Sequence, residues 1–355
     1  MIKSILTGDK DFKKRPLFFY GAGAACLKLL EVCDFLGFSP NYIVDRNPEL
    51  WGRHIFGIRI ISPSELQQFS QDCPVLISTF HLQSAEATLN ECGFLNLWWF
   101  PRHTYSANLG LSIDKAEQIL AENRDAMSYV VENLADSRSR EVFNEILKLR
   151  HENSADFESI FEMNEYFHTD IVKLDDKEVF VDCGGFDGAT TLEFIKNTGR
   201  KFEHAYIFEP IPDMIASINK NIEFLPERER ITALNMAISD SPKKVNFVIR
   251  GQGSQIKSGG DVSVWAESID SFFKEKAPPT FIKLDVEGAE MLALKGADGV
   301  IASFRPKLAV SIYHRFEDLW EIPAYIMRKY PFYRCFIRQH GFEAVSTVCY
   351  AIPDS

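Results

Sequence analysis

Three carboxylates in the C-terminal half of the chain each end a short apolar segment. They are Asp182, Glu209 and Asp285, which follow Val-Phe-Val, Tyr-Ile-Phe and Ile-Lys-Leu. Buried parallel strands are nearly continuous apolar runs, so a charge at the end of such a run requires a reason. Ligands of open α/β sheets bind outside the carboxyl ends of the strands. We therefore predict that the three carboxylates lie at one edge of a parallel sheet and bind or act on a ligand there.

A glycine-rich turn, Cys-Gly-Gly-Phe-Asp-Gly, follows Asp182 and leads into an amphipathic pattern that begins at Thr191. This order predicts a strand, a tight loop and a helix. Glycine permits positive φ and close approach of the backbone to a ligand, so Gly184, Gly185 and Gly188 are predicted to line the site. Asp182 is predicted to orient the ligand, directly or through water; the alternative is that it caps the helix.

Glu209 lies 27 positions after the first of these carboxylates, at the end of the next strand along the chain. A carboxylate in that place accepts hydrogen bonds from both hydroxyls of a nucleoside ribose in dinucleotide sites. The alternative is a surface carboxylate in a turn with Pro210. Asp240, with Ala237 and Ile238 before it, is predicted to flank the base, although a simple Ser-Asp-Ser-Pro turn explains Asp240 nearly as well.

The third segment carries charges within the strand as well as at its end. If residues 280–286 form a strand, alternation places Lys283, Asp285 and Glu287 on one side. His314 ends a further apolar segment, Lys-Leu-Ala-Val-Ser-Ile-Tyr, and an imidazole titrates near neutral pH. His314 is therefore the first candidate for a general base, with Asp285 and Glu287 as alternatives that could also orient an acceptor.

A divalent cation is a weaker interpretation of the same acidic cluster. Asp285, Glu287 and Glu290 offer hard oxygen ligands, and a bound cation would lower the pKa of an acceptor hydroxyl. Glu290 is also explained by the start of the next helix, where the dipole favours a negative charge. The sequence thus favours catalysis without a metal and assigns no metal ligand.

These segments, in this order, resemble the FkbM-type family of S-adenosylmethionine-dependent methyltransferases. The resemblance covers about residues 176–355, and Lys-Leu-Asp-Val-Glu-Gly-Ala-Glu is its most specific part. It implies S-adenosylmethionine as the cofactor and a Rossmann-like class I methyltransferase sheet, mostly parallel with an antiparallel last strand. The family more often has alanine where this chain has Gly185, a departure expected to be harmless. The matching residues are 181–188, 208–210, 237–240, Ser254, 269–270, 282–290 and 347–353.

The resemblance also assigns roles to the candidate residues. Asp182 is expected at the methionine end of the cofactor, Glu209 at the ribose, and Asp240 beside the adenine. Transfer of a methyl group from a sulfonium is an in-line displacement, so positioning supplies much of the catalysis. A neutral hydroxyl is a poor nucleophile, so an alcohol acceptor also has its proton removed, and His314 is expected to do this.

Residues 16–100 form a separate α/β pattern. Pro16-Leu-Phe-Phe-Tyr leads into Gly-Ala-Gly, a helix pattern follows over 25–37, and the next strand ends at Asp45. This region resembles the small Rossmann-like domain of some sugar-modifying enzymes and sugar acetyltransferases, on residues 20–23, 44–48 and 56–63. The third glycine of a dinucleotide fingerprint would fall at Cys26, which argues against tight binding of NAD.

The chain is therefore divided into an N-terminal Rossmann-like domain over 1–104, a helical connector over 105–175 and a methyltransferase domain over 176–355. The connector is assigned from apolar positions that recur at helical spacing, such as Ile119, Met127, Val130 and Leu134. At 355 residues the chain is longer than one core usually supports, which agrees with more than one domain.

Bulk composition excludes several classes of protein. A net charge of −11 without a clustered basic stripe argues against nucleic-acid binding. No apolar stretch is long enough to span a membrane, and the N-terminus lacks the pattern of a secretion signal. Seven cysteines without a Cys-x-x-Cys pair do not predict a disulfide framework or a zinc site. We expect a cytoplasmic location.

The interpretation that follows is a methyltransferase that O-methylates a sugar hydroxyl of a glycan or of a nucleotide-linked sugar. The inference that the acceptor is a sugar rests on the two resemblances and not on a particular residue. One alternative is an NAD-dependent oxidoreductase that acts through Gly21, Gly23 and Asp45. A second alternative is a non-catalytic cofactor-binding protein, against which the charges kept at strand ends argue.

Overall fold

The structure is a computed structural model that describes residues 15–23, 26, 29–30, 39–78, 82–99, 107–152, 157–248, 255–256, 262–341 and 344–354. The chain divides into two compact units, residues 1–104 and residues 105–355. No helix within the described ranges is long and apolar enough to cross a membrane.

The first unit is built on a six-stranded sheet with the order β3-β4-β2-β1-β5-β6. Its strands pair in parallel except for β3, which forms an antiparallel pair with β4. The predicted helix over 25–37 falls largely outside the described residues. The strands are β1 (Phe18–Tyr20), β2 (Tyr42–Val44), β3 (His54–Ile55), β4 (Ile58–Ile61), β5 (Val75–Ile77) and β6 (Leu97–Trp99), with helices α1 (Pro63–Leu66) and α2 (Leu82–Glu91).

Local sequence accounts for the short helix α1. Ser62 accepts a hydrogen bond from the backbone of Glu65, the Glu65 carboxylate accepts one from the backbone of Ser62, and Pro63 occupies the first turn. This reciprocal arrangement satisfies amide groups that a helix start leaves unpaired. The sequence predicts a helix from Ala85 to Cys92 that ends at Gly93, and helix α2 is followed by Gly93 at a φ of +85°.

Three helices open the second unit: α3 (Ile113–Glu122), α4 (Arg124–Asn133) and α5 (Ser137–Glu152). Their apolar positions are buried in the same core as the large sheet of that unit. The buried guanidinium of Arg150 lies 4.3 Å from the ring centroid of Phe316 and donates to its carbonyl oxygen. Helix α5 therefore holds the loop that follows His314.

The large sheet of the second unit has seven strands in the order β16-β17-β15-β14-β7-β8-β9. Strand β17 is antiparallel to both of its neighbours and the remaining pairs are parallel, which confirms the predicted fold class. The strands are β7 (Val179–Cys183), β8 (His204–Phe208), β9 (Ile231–Leu234), β14 (Phe281–Leu284), β15 (Lys307–Ser311), β16 (Tyr333–Gln339) and β17 (Thr347–Pro353).

Helices connect the strands of this sheet, and apolar cores cover both of its faces. Strand β7 is buried along its whole length, as its apolar run predicts. The helices are α6 (Ala189–Asn197), α7 (Pro212–Ile222), α8 (Ile269–Phe272), α9 (Glu290–Lys295), α10 (Asp298–Phe304) and α11 (Asp318–Lys329).

A smaller sheet with the order β10-β13-β11-β12 follows β9 in the chain. It is built from β10 (Ala237–Ile238), β11 (Lys243–Val248), β12 (Gln255–Ile256) and β13 (Val262–Glu267). The sequence predicts one strand over residues 231–237, and this prediction is wrong, because the structure divides the segment between β9 and β10. The chain turns between β9 and β10 because the Asn235 amide donates to the carbonyl oxygens of Glu209 and Pro210. The sequence predicts flexible segments at the glycines at 251, 253, 259 and 260, and these residues lie outside the described ranges.

Candidate active site

The loop after β7 lies against the end of β8. Cys183 and Phe208 are paired in register, and the backbone amides of Gly184 and Gly185 both donate to the carbonyl oxygen of Phe208, at 2.9 and 3.2 Å. Gly184 has a φ of +81°, and a Cβ atom there would collide with the backbone oxygen of Asp285. Only glycine lets this loop pass between the ends of β8 and β14.

The second glycine is required for a different reason. A Cβ atom on Gly185 would collide with the Cγ2 methyl of Ile207, which is itself buried in β8. An alanine at this position would therefore not fit beside Ile207 without a shift of that side chain. Gly188 has a φ of +88° and caps the N-terminus of helix α6.

Glu209 lies at the end of β8, beside this loop. Its Oε2 accepts from the amide of Phe186 and its Oε1 from the amide of Ile211, each at 2.9 Å. The residue is 5% exposed, and burial raises the pKa of its carboxyl group. Each carboxylate oxygen keeps a lone pair beyond its single amide donor.

These features fit the adenosine end of S-adenosylmethionine. A buried carboxylate with spare lone pairs gains from the two hydroxyl donors of a ribose. The carboxylate stands at the sheet edge where ligands of this fold bind, next to a loop whose glycines let the backbone come close. Gly184, Gly185, Gly188, Glu209 and Pro210 would line that end of the cofactor.

Asp182 is fully buried and has two side-chain partners. Its Oδ2 accepts from the hydroxyl of Thr191 at 2.8 Å, and its Oδ1 is 3.0 Å from Nζ of Lys283. Lys283 in turn donates to the carbonyl oxygen of Gly184 at 2.7 Å. Burial lowers the pKa of Lys283, but the charges of Asp182 and Asp285 outweigh burial and leave that pKa above its usual value. Asp182 is thus placed to fix the loop, and direct contact with the cofactor stays a prediction.

Asp285 follows β14 and is held by two tyrosines. The hydroxyl of Tyr166 donates to Oδ2 at 2.8 Å, and that of Tyr313 donates to Oδ1 at 3.2 Å. Burial raises the pKa of Asp285, but the charges of Lys283 and His314 and the two hydroxyls together bring it below its usual value. The carboxylate is therefore oriented and ionised.

His314 lies between three carboxylates. Nδ1 is 2.8 Å from Oε1 of Glu290, while Nε2 is 3.4 Å from Oδ1 of Asp285 and 3.6 Å from Oε2 of Glu287. Burial lowers the pKa of His314, but these carboxylates raise it to about 9 overall. Burial raises the pKa of Glu287 to about 7. The structure thus brings together all three residues that were predicted to be catalytic.

Glu290 starts helix α9 and also belongs to this cluster. Its Oε1 accepts from the amide of Val286 at 2.8 Å, and the residue is 1% exposed. One donor atom each of Asp285, Glu290 and His314 lie within 4.8 Å of one another, a spacing that a metal ion could bridge. Glu290 therefore starts the helix and also lies in the cluster, and a cation at the cluster stays a prediction.

The residues predicted to flank the adenine lie after β9. Ala237 and Ile238 form the buried strand β10, which pairs with β13. Asp240 forms an ion pair with Lys243 and accepts from the Ser239 hydroxyl at 3.1 Å. The turn alternative accounts for these contacts of Asp240, and a role beside the adenine stays a prediction.

The corresponding loop in the first unit contacts a carboxylate in the same way as the loop after β7 contacts Glu209. Oδ2 of Asp45 accepts from the amide of Ala22, and Oδ1 accepts from the amide of Asn47, both at 2.7 Å. Gly21 has a φ of +106°, as a tight turn after β1 requires. Cys26 is buried, and burial raises the pKa of its thiol to about 11.

Sequence reasoning missed Tyr166 and Tyr313 as contacts of the acidic cluster. Tyr166 lies in a segment without regular secondary structure, 119 positions from the carboxylate that it contacts, and has a φ of +61°. No periodicity marks such a residue. Tyr313 was recognisable in principle, because it directly precedes His314 at the end of an apolar run.

Comparison with protein families matches residues 182–344 to the Methyltransferase FkbM domain. This range contains the glycine loop, Glu209 and the Asp285–His314 cluster. No curated protein is similar enough to be matched to the chain.

Solved structures similar to this chain include the crystal structure of methyltransferase FkbM from Methylobacillus flagellatus KT. It is 22% identical, the match covers 99% of this chain and 92% of that chain, and the TM-score is 0.59. Aeropyrum pernix fibrillarin in complex with S-adenosyl-L-methionine is 12% identical, over 51% of this chain and 70% of that chain, with a TM-score of 0.34. The first of these supports the fold, and the second is too distant to add to it.

Proposed function

We propose that this chain, whose C-terminal half is an S-adenosylmethionine-dependent methyltransferase domain of the FkbM family, O-methylates a sugar hydroxyl. The acceptor would be a glycan or a nucleotide-linked sugar. The observation that carries O-methylation is the Asp285–Glu287–His314 cluster, which follows β14 and β15 on the same edge of the sheet as Glu209. The bound cofactor supplies an electrophilic methyl group on a sulfonium.

The acceptor hydroxyl must be held and must lose its proton. Asp285 is fixed by the hydroxyls of Tyr166 and Tyr313, so it can accept a hydrogen bond from the acceptor without reorganising. Glu287 has the more accessible carboxylate, 34% exposed against 23% for Asp285. Glu287 is therefore placed to receive the proton and to pass it to solvent.

We therefore assign the general base to Glu287 and not to His314, which was the first candidate in the sequence. Both ring nitrogens of His314 face carboxylates: Nδ1 faces Glu290, and Nε2 faces Asp285 and Glu287. Neither nitrogen is turned away from these partners toward an acceptor. His314 acts instead as a positioning residue that holds the two carboxylates together.

Lys283 connects the two halves of the site. Its Nζ contacts Asp182 and the carbonyl oxygen of Gly184 on the cofactor side, and its charge faces Asp285 on the acceptor side. Methyl transfer needs the acceptor oxygen in line with the bond that breaks, so a rigid connection between the two sides favours the reaction.

The proposal that the acceptor is a sugar is supported by the resemblances stated for both halves of the sequence. The first unit would have a structural or acceptor-docking role rather than bind NAD, because Cys26 stands where a dinucleotide fingerprint has its third glycine. A cytoplasmic location belongs to the same proposal and agrees with the six described cysteines, which are all free thiols.

The test is a methyl-transfer assay with labelled S-adenosylmethionine and a panel of free, nucleotide-linked and oligomeric sugars. Glu287→Gln should lower kcat by about 100-fold or more, because general-base catalysis contributes this much, and should leave cofactor affinity unchanged. Glu275→Gln, on an exposed loop, is the matched control. Full activity of Glu287→Gln would contradict the base, and methylation of amines alone would contradict the acceptor class.

A further inference from the structure

The carboxylate after β2 repeats, within the first unit, the arrangement found around Glu209. Asp45 accepts from the amide of Ala22 in the loop after β1 and from the amide of Asn47, two positions further along the chain, both at 2.7 Å. Glu209 likewise accepts from one amide of the loop after β7 and from the amide two positions after itself. Each oxygen of Asp45 therefore keeps a lone pair for a further donor, as each oxygen of Glu209 does.

The second glycine of the loop after β1 is not required by the contacts of the described residues. Gly23 does not have a positive φ, and apart from its chain neighbours no described atom lies within 4 Å of the place where a Cβ atom would stand. A Cβ atom on Gly184 or Gly185 would instead collide with a neighbour. In nucleotide sites of this fold, the second glycine of the turn lets the phosphates approach the backbone. The open space beside Gly23 is therefore suited to a phosphate.

An exposed indole is held beside the same carboxylate. Nε1 of Trp51 donates to the carbonyl oxygen of Asp45 at 2.7 Å, and the Trp51 amide donates to the carbonyl oxygen of Pro48 at 3.3 Å. The residue is nevertheless 41% exposed, although tryptophan is on average highly buried. Exposed aromatic rings serve as platforms on which nucleic-acid bases stack. The indole is thus placed to stack on the base of a nucleoside whose ribose binds to Asp45.

We propose that Asp45, Gly23 and Trp51 bind a nucleoside diphosphate, which is the part that a nucleotide-linked sugar carries. The oxygens of Asp45 would accept from the two ribose hydroxyls, Trp51 would stack on the base, and the backbone at Gly23 would approach the phosphates. A dinucleotide is not the ligand, because the buried Cys26 stands where a dinucleotide fingerprint has its third glycine. This inference deepens the proposed function and rests on it, because it selects the nucleotide-linked sugar from the two classes of acceptor.

The first test is calorimetric titration of the full chain with UDP, GDP, CDP and ADP in turn. The protein is saturated with S-adenosylhomocysteine beforehand, so that the site at Glu209 is filled and the heat reports a second site. One nucleotide per chain is expected for at least one of the four. The 2′-deoxy form of that nucleotide should bind about 10-fold more weakly or less, because it lacks a hydroxyl that donates to a charged acceptor.

The second test compares variants of the three residues with the same nucleotide. Gly23→Ala should weaken binding by about 10-fold or more, because a methyl group excludes the phosphate from the backbone. Its unfolding temperature should not fall, because the new methyl group meets no described atom of the protein.

The other two variants test the ribose and the base. Asp45→Asn should weaken binding by about 10-fold or more through the lost charged hydrogen bonds, and Trp51→Ala should do so through the lost stacking. Asp72→Asn, at an exposed carboxylate, is the control for the first of them. Trp265→Ala, which removes an indole that is 43% exposed in the second unit, is the control for the other. Both controls should bind the nucleotide as the unaltered protein does.

The outcomes separate this site from the proposed function. If none of the four nucleotides binds to the saturated protein, the nucleotide site is overturned and the O-methyltransferase stays intact with a glycan as acceptor. The same conclusion follows if binding is insensitive to both Gly23→Ala and Asp45→Asn, or if the ribose and 2′-deoxyribose forms bind equally well. If a nucleotide binds at these residues and no sugar of any class is methylated, the proposed function is contradicted instead.

Discussion

Lys283 and Asp182 form an ion pair with a Nζ–Oδ1 distance of 3.0 Å between two adjacent strands in the interior of the sheet. Both residues are at most 1% exposed. Through Nζ, the same lysine binds the carbonyl oxygens of Cys183 and Gly184, at 3.3 and 2.7 Å. One buried ammonium therefore fixes both the acid that ends β7 and the loop that follows it.

Replacement of Lys283 by methionine should be strongly destabilising. It removes one partner of a buried pair and leaves Asp182 charged and uncompensated, which typically costs about 3–5 kcal/mol. Urea denaturation followed by circular dichroism measures this loss. The double variant Asp182→Asn/Lys283→Met has no unpaired charge and should recover part of it; equal stability of the two variants would contradict the argument.

Introduction of alanine at position 185 should also be destabilising. The new methyl group would collide with Cγ2 of Ile207, and overpacking of this kind typically costs about 1–3 kcal/mol. Ile207→Leu has no methyl branch at Cβ, so the double variant Gly185→Ala/Ile207→Leu should be the more stable of the two. The thermal unfolding temperatures of the two variants test this prediction. An unchanged unfolding temperature of Gly185→Ala would show that the loop adapts.

Tyr166 lies outside residues 182–344, the range that matches the FkbM domain, and yet its hydroxyl contacts Asp285. Tyr166→Phe keeps the ring in its apolar core and removes the hydroxyl that donates to Asp285. Loss of one hydrogen bond to a charged group, about 1.5–3 kcal/mol, should lower kcat by about 10- to 100-fold, with affinity for S-adenosylhomocysteine unchanged. Tyr129→Phe, on helix α4, is the control of the same type. An unchanged kcat would show that the hydroxyl of Tyr166 does not contribute to catalysis.

The contrast between Asp285 and Tyr166 indicates which parts of this site are visible in the sequence. Asp285 was predicted because a charge at the end of an apolar run conflicts with burial unless it has a function. Tyr166 gave no such signal: its position depends on tertiary contacts, and its backbone has a positive φ that its residue type does not favour. The split of the strand predicted over 231–237 has a similar origin, since Asn235 turns the chain through contacts with Glu209 and Pro210.

His340 should make stability depend on pH. It is buried, with Nδ1 2.8 Å from the carbonyl oxygen of Glu162 and Nε2 2.7 Å from the hydroxyl of Tyr350. Burial lowers its pKa from 6.5 to about 4. The folded pKa thus lies below the unfolded one, so between these values the unfolded chain binds a proton that the folded chain does not. Stability is therefore fully present above pH 6.5 and is lost as the pH falls toward 4.

The expected loss is about 3 kcal/mol, at roughly 1.4 kcal/mol for each pH unit between the two pKa values. Urea denaturation at pH 7.5, 6, 5 and 4 measures it. His340→Gln should lower stability at pH 7.5 and flatten the profile, whereas His54→Gln, at an exposed position, should leave the profile as it is. If the stability of His340→Gln depends on pH in the same way as that of the unaltered protein, the dependence belongs to the other charged groups nearby. These are Glu162, His168 and Arg338.

The cofactor site at Glu209 is tested most directly by calorimetric titration with S-adenosylhomocysteine, with NAD as a parallel ligand. The proteins compared are the unaltered protein, Glu209→Ala and the exposed control Glu203→Ala. Loss of two hydrogen bonds to a carboxylate should weaken binding by about 3 kcal/mol, or roughly 100-fold, in Glu209→Ala alone. Unchanged affinity in Glu209→Ala would contradict the cofactor site described here, and binding of NAD alone would move the chemistry to the first unit.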